Sequence, residues 1–133
     1  MRLEGHAGFS LVVMSAGAMV LRCRPVLSLP VIALSVLFSV VPDFDIRTGG
    51  FVEHRGVLTH SIFGVLAMGL LAGAVFLWLG FGFWTRFIGA FLGGVLHLAG
   101  DAVTFARFRP FWPISGRRVG LGLFRSSDRF VTW

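Results

Sequence analysis

The stretch VVPDFDIRTGGFVEHRGVLTHS, residues 40–61, holds Asp43, Asp45, Glu53, His54 and His60, which are three of the six acidic residues and two of the four histidines of the chain. Further on, HLAGD places His97 and Asp101 four residues apart, which on a helix is one face and about one turn. His6 stands alone near the start. Neutral imidazoles mixed with carboxylates suit Zn²⁺, Mn²⁺ or Fe²⁺. A single cysteine, Cys23, argues against a closed thiolate zinc site. The candidate ligands are His6, Asp43, Asp45, His54, His60, His97 and Asp101, more than one tetrahedral ion needs. One or two ions are therefore expected, zinc first, and paired ions activate water for attack on phosphate or acyl centres. Arg55, between His54 and Gly56, is placed to clamp an anionic oxygen. Asp43 or Glu53, if left unligated, is the candidate general base.

Blander readings exist for each residue. His97 and Asp101 can simply tie two helices together, and Asp43 and Asp45 can be a solvated helix stop. Because Asp43 follows Pro42, extended backbone is expected there, with alternate carboxylates pointing to opposite sides. His54 and His60 are off-register for one helix face, although Gly56 allows a bend between them.

The elements that must position these residues are apolar. The 133-residue chain is 56% hydrophobic and 14% charged, with a mean hydropathy of +0.85. Long apolar runs in such a chain read first as membrane spans. Four can be drawn, at about 7–21, 26–41, 58–79 and 87–105, with a motif loop at 42–57 and a basic tail at 106–133. The first two are short for a ~30 Å hydrocarbon core. A cleaved signal peptide fits the first only loosely, since Glu4 and His6 fall in its charged leader and apolar sequence resumes after Pro25. Glycines four apart, Gly69 and Gly73, Gly89 and Gly93, allow close helix packing. The expected fold is an all-α integral membrane protein, a single domain built as a four-transmembrane-helix bundle.

Topology then gathers the chemistry. With four spans, the N-terminus, the motif loop and the tail share one side, which receives all four histidines and leaves none on the other. A metal site at one membrane face is expected. Nine arginines fall on that side against Arg22, Arg24 and Arg86 opposite, which by the positive-inside rule makes it cytoplasmic. The chain has no lysine, and its net charge of +6 points to anionic lipid headgroups as partners, because no nucleic-acid-reading motif accompanies it.

The order PDFD, HRGVLTHS, HLAGDAVT and RPFWPISGRR, set among short apolar spans, resembles the LexA-regulated inner-membrane family of metal-dependent hydrolases, from His6 to about Phe124. The resemblance implies a role as motif positions for His6, Asp43, Asp45, His54, His60, His97 and Asp101. Arg55, Thr59, Ser61 and Thr104 match motif positions too, as supporting or substrate-contacting residues. The Asp, His and HxxxD pattern is also similar to that of zinc-dependent phospholipase C and the P1-type nucleases. No histidine follows His97, so the further C-terminal ligands of those enzymes are missing. The function expected is hydrolysis of a phosphoester or other ester of a lipid-like substrate in the inner (cytoplasmic) membrane. Two alternatives remain. One is a non-enzymatic metal-binding adaptor that docks a soluble regulatory protein through its arginine-rich tail. The other is a metal transporter, disfavoured because its ligands should lie near the midplane.

Overall fold

The computed structural model describes residues 3–43, 58–104 and 107–123. Four helices follow one another: α1 (Leu3–Val20), α2 (Pro25–Phe38), α3 (Ile62–Trp78) and α4 (Phe83–Ala102). At ~1.5 Å per residue they run about 21 to 30 Å. Successive helices alternate in direction. The starts of α1 and α3 therefore lie beside the ends of α2 and α4, and α4 packs against the other three. No strand occurs among the described residues; outside the helices they form turns and irregular backbone, with an antiparallel bridge between Phe108 and Val119.

Local chemistry sets the helix ends. Pro25 opens α2 at a position where its missing N–H is not needed. The Ser61 hydroxyl accepts the Gly64 N–H at 3.1 Å and caps α3. After α1, Cys23 N–H bonds the Ala18 carbonyl and Arg22 N–H bonds that of Met19. Phe81 and Gly80 repeat the pattern on Phe76 and Leu77 after α3. Both are left-handed closures in which glycine is the usual residue. Gly80 meets that preference with φ 84°, whereas Arg22 adopts φ 49° against it.

Close packing depends on glycine. A Cβ on Gly93 would collide with the Ser35 carbonyl, and one on Gly89 would stand 2.9 Å from the Val31 carbonyl oxygen. The α2 and α4 backbones therefore approach directly, as small residues allow when no hydrophobic drive pulls helices together. Across α3, Gly69 receives the Phe87 ring and the Phe91 Cβ, and Gly73 receives the Phe83 ring.

Burial is inverted relative to a water-soluble domain. The buried polar residues are His6, Ser10, Ser35, Ser39, Asp43, His60, Ser61, His97, Asp101 and Thr104, while Met19, Val20, Leu21, Val26 and Trp78 are exposed. Two stretches, Leu3–Val20 and Pro25–Asp43, are long and apolar enough to cross a membrane, and Ile62–Trp78 is a shorter apolar helix. Only 17% of each of the two longer stretches is buried, which is unlike the core helix of a soluble protein. An apolar exterior around a polar interior is what lipid as solvent favours.

Candidate metal centre

His97 and Asp101 occupy the last turns of α4. Their side chains face each other along it, with Nε2 3.8 Å from Oδ2. His60 enters from the turn before α3, placed by the Ser61 cap. His6 enters from the first turns of α1. Asp43 comes from the short 3-10 turn after α2, where its N–H bonds the Val40 carbonyl at 3.1 Å. This turn corrects the extended backbone expected after Pro42. Pro42 disfavours helix at the residue before it, yet Val40 still offers a carbonyl, so the chain tightens rather than extends. Asp43, His60, His97 and Asp101 are all buried, and each offers a ligand atom within 4.8 Å of the others.

The geometry fixes where lone pairs point. His97 Nδ1 lies 2.8 Å from the Ser39 carbonyl oxygen. A carbonyl can only accept, so Nδ1 carries the proton and donates it. In the neutral ring Nε2 then presents its lone pair to the cluster. His60 Nδ1 stands 2.8 Å from the Thr59 hydroxyl, and its Nε2 stands 3.2 Å from His97 Nε2. If His60 donates from Nδ1 to Thr59, two bare nitrogens face each other, and a cation between them relieves the repulsion. If Thr59 donates instead, the proton on His60 Nε2 bridges to His97. Orienting a ligand imidazole through its other ring nitrogen is the usual support of a metal site.

Each carboxylate has two faces. Asp43 Oδ1 is 3.8 Å from His60 Nε2 and 3.7 Å from His97 Nε2, and Asp101 Oδ2 is 3.6 Å from His60 Nε2. His6 Nε2 lies instead by the opposite oxygens, 3.3 Å from Asp101 Oδ1 and 3.7 Å from Asp43 Oδ2. Ligands about 2.0–2.1 Å from a tetrahedral zinc stand roughly 3.4 Å apart, close to these separations. The donor set fits a metal. The fully buried His6 ring stacks on His97 with centroids 4.1 Å apart. Neither of its nitrogens makes a hydrogen bond of good geometry among the described residues.

Of the residues singled out in the sequence, His6, Asp43, His60, His97 and Asp101 converge. Asp45, Glu53, His54 and Arg55 lie outside the described residues. Ser61 acts as a helix cap and Thr59 as the partner of His60. Thr104 directs its hydroxyl and its N–H to the Asp101 carbonyl, at 2.9 and 3.0 Å, closing α4. Sequence reasoning missed Ser39, whose carbonyl orients His97 and whose hydroxyl shares its one proton between the Val36 carbonyl at 2.7 Å and the His6 carbonyl at 3.2 Å. It also missed the buried Ser10–Ser35 hydroxyl pair, 2.9 Å apart. Ser35 and Ser39, four apart inside an apolar run, were the available signal.

A family model that spans residues 1–133 matches this chain. The chain belongs to the YdjM inner membrane protein family. Membership accounts for the inverted burial and makes this a membrane protein. No curated protein and no solved structure matches it.

Proposed function

We propose that this member of the YdjM family is a four-span inner-membrane protein whose helix ends form a metal-dependent hydrolase site for a phosphoester or other ester of a lipid-like substrate. The observation carrying the proposal is the buried set of imidazole nitrogens and carboxylate oxygens at ligand-to-ligand distance, with the His97 lone pair aimed inward. An ionisable cluster inside an apolar molecule is expensive unless function retains it. His60, His97, Asp43 Oδ1 and Asp101 Oδ2 would hold one ion, and His6 with the opposite carboxylate oxygens a second. Zinc suits the donors best, with manganese or iron as alternatives. Such a metal, when bound, supplies Lewis-acid polarisation and lowers the pKa of water.

The chain's own residues do the rest. Ser39 and Thr59 hold the two imidazoles in orientation. Asp43, with both oxygens among imidazole nitrogens, serves as a ligand, which leaves Glu53 as candidate base and Arg55 as candidate clamp on the anionic ester. His6 makes α1 part of the site, so the first helix is retained in the working protein. The excess of arginine on this side supports a site at the cytoplasmic face by the positive-inside rule.

Metal analysis of the purified full-length protein, beside a panel of phosphoester and acyl-ester lipids, tests the reading. The expected result is about one or two ions per chain and turnover that chelation removes and zinc restores. Equal trace metal in wild type and in the His97→Ala, Asp101→Ala double variant would abolish the site. Metal without turnover would favour the second reading, a membrane adaptor. The observation favouring that reading is the exposed Phe111 and Ile114 set between Arg109 and Arg117 in the tail.

A further inference from the structure

At the far ends of the helices, α1, α2 and α4 leave an apolar cleft of about 540 Å³, lined by Val13, Gly17, Val31, Ile88 and Leu92 with Arg24 and Thr85. That volume lies within the usual range of ligand pockets. Gly17 makes the room. Unlike Gly89 and Gly93, whose Cβ positions would strike α2, a Cβ on Gly17 would meet nothing within 4 Å. Glycine weakens a helix, and no packing partner among the described residues explains it here. A second, smaller cleft of about 380 Å³ lies along the same α1–α2 hairpin and is lined by Arg22, Met19 and Leu29. Ala18, Cys23, Ser28 and Ile32 border both clefts.

The open ends are cationic. Arg24 lines the larger cleft and Arg22 the smaller. Arg86 donates from Nη1 to the Thr85 hydroxyl at 2.7 Å. The helices α2 and α4 also start here, and their N-cap residues, Arg24 and Gly82, make no side-chain cap bond, so two positive helix ends add to three arginines. Among the described residues the acids Glu4, Asp43 and Asp101 all lie at the other end. Arg22 is also held in the left-handed turn where the matching closure after α3 uses glycine. A strained position kept by a charged residue points to a use for that residue.

We infer that the α1–α2 hairpin is a binding site for one anionic membrane phospholipid, with an acyl chain in each cleft and the phosphate held by Arg22 and Arg24. Two apolar slots sharing a wall beneath a pair of arginines match a two-chain lipid with a negative headgroup. From His6 to Arg22 the helix rises about 24 Å, so a phosphate held here is remote from the His/Asp cluster. The bound lipid is a resident of the opposite leaflet and is not the substrate proposed above.

Native mass spectrometry of the full-length protein, loaded from an equimolar mixture of phosphatidylglycerol and phosphatidylcholine, tests this. Wild type should retain phosphatidylglycerol preferentially, about one per chain. Arg24→Gln should lower that retention by about fivefold, the scale of one arginine beside an anionic headgroup. Gly17→Leu should fill the larger cleft and bring retention down to the phosphatidylcholine level. Circular dichroism and melting establish that both variants fold, and Arg24→Gln alone decides the matter if the leucine variant does not. Equal retention of both lipids by wild type, or unchanged retention in Arg24→Gln, overturns the inference.

Discussion

If the carboxylates of Asp43 and Asp101 each serve two positions, His6 should control the second position without disturbing the first. His6 Nε2 stands 3.3 Å from Asp101 Oδ1 and 3.7 Å from Asp43 Oδ2, whereas His60 and His97 face Asp43 Oδ1 and Asp101 Oδ2. Replacing His6 removes one of the three described donors around the second position and none around the first. Losing an orienting partner alone weakens metal affinity by about 10- to 100-fold, so losing a direct donor should cost at least the upper figure, about 2.7 kcal/mol. Alanine would also leave a void against the His97 ring, 4.1 Å away. His6→Phe is the cleaner change, because it keeps a stacked ring and has no nitrogen. Zinc titration at buffered free-metal concentrations, read by elemental analysis of the desalted protein, should give two steps for wild type. His6→Phe should give one step at the original tighter affinity. Wild-type stoichiometry and affinity in His6→Phe, or loss of both ions, would refute the division of the carboxylates between two positions.

The remaining predictions address ligation, packing, chemistry and orientation. His97→Ala and Asp101→Ala, each removing a direct donor, should likewise lower zinc affinity by about 100-fold or more, measured by the same titration. Gly93→Ala should destabilise by about 1–3 kcal/mol, the range for overpacking, because its Cβ would strike the Ser35 carbonyl, while Gly17→Ala should be neutral or slightly stabilising; detergent melting compares the two. Arg55→Lys should slow turnover of an anionic ester with metal content unchanged, since lysine lacks the planar fork, whereas His60→Ala should lose both. Cys23, at the end of the molecule away from the cluster, should react with an impermeant thiol reagent in cells whose outer membrane has been permeabilised, and protection of Cys23 together with labelling of a cysteine placed at residue 120 would reverse the orientation.

The spacing of HLAGD was sufficient to place His97 and Asp101 on one face. The even number of apolar runs was sufficient to bring His6, Asp43 and His60 to the same end. Boundaries were less legible, because they depend on single hydrogen bonds. The second apolar run reaches to about residue 41, yet α2 ends at Phe38, where Ser39 turns its hydroxyl onto the Val36 carbonyl at 2.7 Å. The fourth run reaches to about residue 105, yet α4 ends at Ala102, where Thr104 closes on Asp101. The orientation of His97 was not legible at all, since its partner is a backbone carbonyl 58 residues earlier, and any residue type carries one. Arg22 in a glycine conformation was equally hidden, because composition assigns that conformation to the wrong residue.

The segment after α4 makes backbone bonds with the helix ends around the cluster. Leu121 N–H bonds the Ala102 carbonyl at 2.7 Å, Leu123 bonds Val103 at 3.0 Å, and the Ile62 N–H bonds the Pro110 carbonyl at 2.8 Å. Phe108, bridged to Val119, sets its ring 6.3 Å from that of His60. These contacts join the beginning of α3 to the end of α4 through residues that the ribosome makes after both helices. A chain made only as far as α4 therefore holds every described histidine and aspartate of the cluster but lacks the bonds that tie these two helix ends together. The segment therefore works as a latch, and a chain truncated after α4 would keep its four helices with their polar end unlatched.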